Sequence, residues 1–213
     1  MQTQDKFILC YVTDSVSLSA EDSADLRKMV RKVAAAGVDW IQFREKIIAT
    51  RNLLALVRDA MRATERVRVL VNDRVDVALA ANADGVHLGG ESLRAADVVN
   101  WRRAGRAQES FQIGVSCHRL EDIRQAERDG ADYVFFGPVF PTPSKVRFGP
   151  PQGLAKLADV CRHTRLPVLA IGGITLENAR DCVHAGAAGI AATRLYQRAH
   201  HLPELIHHLR QEN

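Results

Sequence analysis

The chain has 213 residues, 46% hydrophobic and 25% charged, proportions of an ordinary globular protein long enough to bury a large core. Lys and Arg outnumber Asp and Glu by 29 to 25, an excess spread along the chain that argues against a nucleic-acid stripe without excluding small anionic ligands. No apolar run approaches the ~18 residues of a membrane span, and residues 1–5 are too polar for a secretory leader. Cys10, Cys117, Cys161 and Cys182 show no CxxC spacing, so reduced thiols and a cytoplasmic location are expected.

Short β-branched runs alternate with longer periodic stretches. Strands are expected at 7–12, 39–43, 67–71, 85–88, 111–115, 132–136, 167–171 and 189–192. Helices are expected at 24–36, about 50–66, 75–81, 120–129, around 153–163, 177–185 and near 203–210, with another that Ser92 would cap. Gly37, Gly130 and Gly186 stand where helices should stop. Roughly eight strand–helix units in this length indicate an α/β fold, a (β/α)8 barrel, as one domain over residues 1–213. A doubly wound open sheet is the alternative, but no GxGxxG follows the first strand.

In such barrels the loops that follow the strands carry the chemistry. Here they hold Thr13 and Asp14, Arg44 to Lys46, Asn72 to Arg74, His87, Ser116 and His118, Thr142 to Lys145, Gly172 and Gly173, and Thr193 and Arg194. Gln42, Arg44 and Lys46 recur at period two and so share one side of their strand and its extension. Cations enclosed there without a counter-ion are costly, which suits a multiply charged anion; pairing with Glu45 or another carboxylate is the alternative.

Asp73 at the end of the third strand is a candidate Mg2+ ligand, because Mg2+ takes one or two carboxylates plus substrate oxygens. Asn72 or Asp73 could instead cap the following helix. Thr142, Ser144 and Lys145 lie on a loop stiffened by Pro138, Pro141 and Pro143, which suits a phosphorylated ligand; a plain surface turn is the alternative. Gly172 and Gly173 would let backbone N–H groups approach an anion, or would simply make a left-handed turn. His87 and His118 are candidate acid–base or substrate contacts, although a lone histidine is more often a packed core residue. The pairs His200–His201 and His207–His208 read as a solvated face.

Taken in order, QFREK at 42–46, NDR at 72–74, DGVHLG at 84–89, GVS at 114–116, DYVFFGPVFPTPSK at 132–145 and AIGGI at 170–174 resemble the thiamine-phosphate synthase family, which includes the TenI-type proteins. The resemblance covers nearly the whole chain, and NDR followed by GPVFPTxSK is its most specific part. It implies a (β/α)8 transferase that joins 4-amino-5-hydroxymethyl-2-methylpyrimidine diphosphate to hydroxyethylthiazole phosphate with loss of diphosphate, using Mg2+. By the resemblance, Gln42, Arg44, Lys46, Asn72 and Lys145 hold the pyrimidine diphosphate, and Asp73 its Mg2+. Ser116 contacts the pyrimidine or the diphosphate, and Thr142, Ser144, Gly173, Thr193 and Arg194 surround the thiazole phosphate. Lys145, Arg44, Ser116 and His118 are the candidates for catalysis. The implied partners are small phosphorylated substrates, with neither nucleic acid nor membrane; a homo-oligomer is compatible with a sequence that sets no assembly state.

Three departures from the family pattern matter. HLGQED reads HLGGES, so Gly90 replaces a glutamine and Ser92 the second Mg2+ carboxylate. PTxTK reads PTPSK, which keeps the hydroxyl, and Arg194 stands where a serine is common. The Ser92 departure leaves room for a TenI-like thiazole tautomerase with His118 as its acid–base group, or for a non-catalytic barrel that binds thiamine precursors. The retained QFREK, NDR and Lys145 favour the synthase, since a tautomerase needs no diphosphate site.

Overall fold

Each apolar run and the amphipathic stretch after it form one βα unit. The computed structural model describes residues 7–17, 23–64, 66–142 and 150–211. The strands are β1 (Ile8–Val12), β2 (Trp40–Phe43), β3 (Arg68–Asn72), β4 (Gly85–Leu88), β5 (Gln112–Cys117), β6 (Tyr133–Phe136), β7 (Val168–Ile171) and β8 (Gly189–Ala192). Each pairs in parallel with the next, and β8 pairs with β1, so the sheet is the closed eight-stranded barrel that the alternation predicts. The helices are α1 (Ser23–Ala36), α2 (Thr50–Ala63), α3 (Val75–Ala81), α4 (Ala95–Arg103), α5 (Leu120–Arg128), α6 (Gly153–Arg162), α7 (Leu176–His184), α8 (Arg194–Gln197) and α9 (Leu202–Gln211).

The period-two alternation of the strands sends their side chains into two separate cores. Outward residues such as Leu9, Ile41, Val69, Val86 and Ile113 pack under the helices. On α2, for example, Leu53, Leu56, Val57 and Ala60 are buried, the i, i+3, i+4, i+7 stripe of a helix lying on a sheet. Inward residues Cys10, Trp40, Leu70, Tyr133, Phe135 and Leu169 fill the barrel itself. Glycine makes room for the largest of them: a Cβ at Gly114 would lie 2.0 Å from the Tyr133 ring.

An aspartate just before β2, β4 and β6 ties the amino-terminal end of the barrel. The carboxylates of Asp39, Asp84 and Asp132 accept the backbone N–H of Leu9, Val69 and Ile113 at 2.8, 2.7 and 2.7 Å. Two of them also meet an arginine from a helix, Arg210 with Asp39 and Arg102 with Asp132. These contacts lie at the end of the barrel that carries stability rather than chemistry.

The structure corrects several element boundaries. Ser92 does not cap α4, which begins at Ala95 behind Arg94; its hydroxyl is engaged elsewhere. Neither Asn72 nor Asp73 caps α3, whose N-cap is Arg74. α2 stops at Ala63, where the Thr64 hydroxyl donates to the Ala60 carbonyl at 2.8 Å, three residues before the expected end. β5 runs to Cys117, which places Ser116 inside a strand instead of after it. The short α8 was not anticipated, because four residues carry too little periodicity to register.

Asp132→Ala removes the acceptor of the Ile113 N–H and the partner of Arg102. Both side chains keep some solvent contact, so the expected loss is about 1–2 kcal/mol. Urea denaturation checks this, and an unchanged midpoint would refute the role given to the Asp132 tie.

Candidate functional site

Closing the barrel brings one inward side chain from each strand to its carboxyl-terminal end. Val12, Gln42, Asn72, His87, Ser116, Phe135, Ile171 and Ala191, one from each of β1 to β8, line a cavity of about 430 Å3. That size suits a small-molecule ligand. Half of this floor is apolar and contiguous around β6, β7, β8 and β1; the polar half runs across β2 to β5.

The polar half has a fixed hydrogen-bond direction. A carboxylate can only accept, so Asn72 Nδ2 donates to Asp73 Oδ2 at 2.6 Å. Asn72 Oδ1 is then the acceptor for Gln42 Nε2 at 2.9 Å. This leaves Gln42 Oε1 buried without a hydrogen-bond partner among the described residues. Such an orphaned acceptor costs about 1–3 kcal/mol unless a donor reaches it. Asp73, the origin of the chain, has a φ of 60°, a left-handed conformation that aspartate tolerates better than most residues. Its Oδ1 accepts from the Gly89 N–H at 3.1 Å and from the Ser92 hydroxyl. Ser92 therefore braces Asp73 instead of capping a helix.

A second buried chain sets the state of Ser116. His87 contacts the Tyr133 hydroxyl through Nδ1 at 3.2 Å and Ser116 Oγ through Nε2 at 2.9 Å. Burial pushes the His87 pKa down to about 3, opposed by the Asp73 charge and helped by Arg44, so the ring is neutral near pH 7. Burial likewise holds the Tyr133 phenol in its protonated form. His87 is the hydrogen-bond partner of that phenol, so Tyr133 donates to Nδ1 and the Nε2–H donates to Ser116 Oγ; the reverse tautomer would strand a buried phenol proton. The Ser116 hydroxyl is then left with its own proton to offer the cavity. His87 thus lines the cavity as a neutral ring in contact with Ser116.

The walls come from the loops. Arg44 and Lys46 line the β2 side, as their spacing predicts, but Arg44 is only half-buried and Lys46 is exposed. The premise of enclosed cations is thus corrected: both retain water. Glu45 is not their counter-ion, for it accepts from Thr13 Oγ1 at 2.6 Å and from the backbone N–H and hydroxyl of Ser15. Neither cation has an ion-pair partner among the described residues.

Thr142, Gly173, Thr193 and Arg194 all line the cavity, with Gly172 beside them. Gly172 and Gly173 have φ of +96° and +68°, and a Cβ on Gly173 would come within 2.6 Å of the Pro141 carbonyl oxygen. Glycine is therefore required there both for the turn and for the approach of the β6 loop. His118 lines the same wall, its Nδ1–H donating to the Gly137 carbonyl. Asp73 stands beside Asn72 at the rim, just outside the lining. Ser144 and Lys145 lie outside the described residues. Asp14 and Arg198 also line the cavity, and only the fold reveals Arg198, four residues beyond Arg194. The inward alternation of the strands was the available signal for the apolar floor.

The family profile described as thiamine monophosphate synthase matches residues 9–195. A thiamine-phosphate synthase of Roseiflexus castenholzii is 42% identical over 186 residues, covering 86% of this chain and 78% of that protein. A thiamine-phosphate synthase of Chlorobium luteolum is 38% identical over 194 residues, covering 90% and 86%. Among solved structures, a thiamine phosphate pyrophosphorylase from Pyrococcus furiosus superposes with a TM-score of 0.82 at 31% identity, covering 98% of this chain and 96% of that one.

The depressed pKa of His87 makes a testable demand on stability. Between pH 6.5 and about 3 the unfolded chain binds a proton at this histidine and the folded chain does not, so stability falls as pH falls. From pH 7 to pH 5 this one group should cost about 2 kcal/mol, and a His87→Gln variant should lose that much less than the parent over the same interval. Denaturation at the two pH values measures the difference; parallel losses would contradict a neutral buried His87.

Proposed function

The chain belongs to the thiamine monophosphate synthase family, and we propose that it condenses 4-amino-5-hydroxymethyl-2-methylpyrimidine diphosphate with hydroxyethylthiazole phosphate to give thiamine phosphate and diphosphate. The observation that carries the reading at the level of this chain is Gln42 Oε1, without a hydrogen-bond partner among the described residues, on a cavity floor flanked by Arg44 and Lys46, which have no ion-pair partner among the described residues. An aminopyrimidine supplies the missing N–H donor, and its diphosphate supplies the anion.

Each part of the site then has a task. Gln42 Oε1 accepts from the exocyclic amine, held in place by Asn72 and Asp73. Ser116 donates its hydroxyl proton to the pyrimidine or the diphosphate, oriented by neutral His87. Arg44 and Lys46, with Lys145, take up charge as the carbon–oxygen bond breaks and its electron pair leaves with diphosphate. The pyrimidine-methyl cation left behind is stabilised by its own amino group. Val12, Phe135, Ile171 and Ala191 keep water from it. The thiazole nitrogen, placed by phosphate contacts to Thr142, Ser144, Gly173, Thr193 and Arg194, then donates its lone pair to form the carbon–nitrogen bond.

The residues also fit a divalent cation. Mg2+ takes one or two carboxylates and completes its shell with water and substrate phosphate oxygens, and Asp73 is one such carboxylate at the rim. When bound, Mg2+ would supply neutralising charge on the departing diphosphate. Ser92, already in contact with Asp73 Oδ1, is a weaker second ligand than a carboxylate. His118 serves this reading as a neighbour of the thiazole side. The small phosphorylated substrates and the free cysteines fit a cytoplasmic enzyme.

Incubation with both substrates and Mg2+ should yield thiamine phosphate. Absence of that product, with isomerisation of a carboxythiazole phosphate in its place, would overturn the reading in favour of a tautomerase. Arg44→Ala should lower kcat/KM by roughly ten- to a hundredfold, the loss of a charge-assisted bond. Ser92→Asp should reduce the Mg2+ concentration needed for half-maximal rate; an unchanged requirement would separate position 92 from the ion.

A further inference from the structure

The cavity has a second cationic pole, of which the substrate-binding residues read from sequence account for Arg194 but not for Arg198. β1 lies between β8 and β2 in the barrel, and its loop carries Asp14 into the cavity wall. On the β2 side stand Arg44 and Lys46; on the β8 side stand Arg194 and Arg198, one helical turn apart at the two ends of α8. Neither Arg194 nor Arg198 has an ion-pair partner among the described residues, so neither charge is spent on a structural carboxylate.

The segment that presents them is fastened. Gln197, between them, donates to Tyr11 Oη at 3.3 Å and to the Asp14 carbonyl at 3.2 Å, and accepts from Ser17 Oγ at 2.7 Å. These bonds join α8 to β1 and to the loop after it, and so fix the backbone that places residues 194 and 198 at the cavity rim, where both line the cavity and remain exposed to water. Two guanidinium groups spaced one turn apart can each donate paired N–H bonds, a geometry suited to the three oxygens of a phosphate monoester.

We propose that Arg198 is a specificity-determining residue that, together with Arg194, binds the phosphate monoester of the second substrate. The proposal rests on the synthase reading, in which that substrate is hydroxyethylthiazole phosphate. Asp14, set between the two poles, then disfavours that phosphate sliding toward the Arg44–Lys46 pole, so each anionic substrate has its own end of the cavity.

Steady-state kinetics with Arg198→Ala and Arg198→Lys tests this. The alanine variant should raise the KM for hydroxyethylthiazole phosphate about tenfold, one charge-assisted contact, and the lysine variant should recover part of it. The KM for the pyrimidine diphosphate should move less than twofold. Equal rises in both constants, or a change below twofold in the thiazole phosphate constant, would overturn the assignment. Calorimetric titration with hydroxyethylthiazole phosphate alone keeps the test independent of turnover. If the parent binds it and forms no product, the synthase reading fails while weaker binding by Arg198→Ala still supports the phosphate contact. Equal binding by parent and variant refutes it.

Discussion

Closure of the parallel sheet is the constraint on which everything else in this protein depends. Once β8 pairs with β1, alternate residues of every strand must point at one axis, where no solvent can relieve a poor choice. Most of the length of that axis is filled by Trp40, Leu70, Tyr133 and Leu169, with Gly114 conceding space to the tyrosine ring. The last inward position of each strand faces the cavity and makes its floor, with Phe135 both filling the core and flooring the cavity. The site is thus the unfilled top layer of the core.

Polar groups placed in that layer must be satisfied or aimed at a ligand. The structure does both by running two hydrogen-bond chains inward from fixed ends. One starts at the Asp73 carboxylate, which can only accept, and ends at Gln42 Oε1, buried without a hydrogen-bond partner among the described residues. The other starts at the Tyr133 phenol, kept protonated by burial, and passes through neutral His87 to Ser116. The floor therefore offers one acceptor and one donor whose directions are set before any ligand arrives, the preorganisation that a charge-separating reaction requires. The loops contribute the opposite property. Arg44, Lys46, Arg194 and Arg198 keep contact with water, at lower cost to stability, and supply long-range positive charge at two separated poles.

How far this could be read beforehand differs from residue to residue. Gln42, Arg44 and Lys46 were legible because period two in a strand is a purely local signal. Gly172 and Gly173 were legible as a turn; that Gly173 must also clear the Pro141 carbonyl was not, since it depends on a loop some thirty residues upstream. Ser92 misled in a specific way. A serine before a helical stretch is the usual sign of an N-cap, but the hydroxyl found a better partner in Asp73, nineteen residues away, and the helix began later. The idea that Glu45 might neutralise its neighbours failed for the same reason: Thr13 and Ser15, from the preceding βα loop, reach it first.

The sequence by itself determined the barrel, the order of its strands and the end at which functional groups gather. These follow from apolar periodicity, helix stops and family motifs, all of which act over a few residues or are matched directly. Only the tertiary structure decided which atoms of those groups remain unsatisfied, that His87 is neutral, that Ser92 braces Asp73, and that Arg198 belongs to the cavity. Each of these depends on groups from different βα units meeting across a closed barrel, and on the burial that meeting creates. Burial and long-range hydrogen bonding are properties of the packed chain, and no local pattern encodes them.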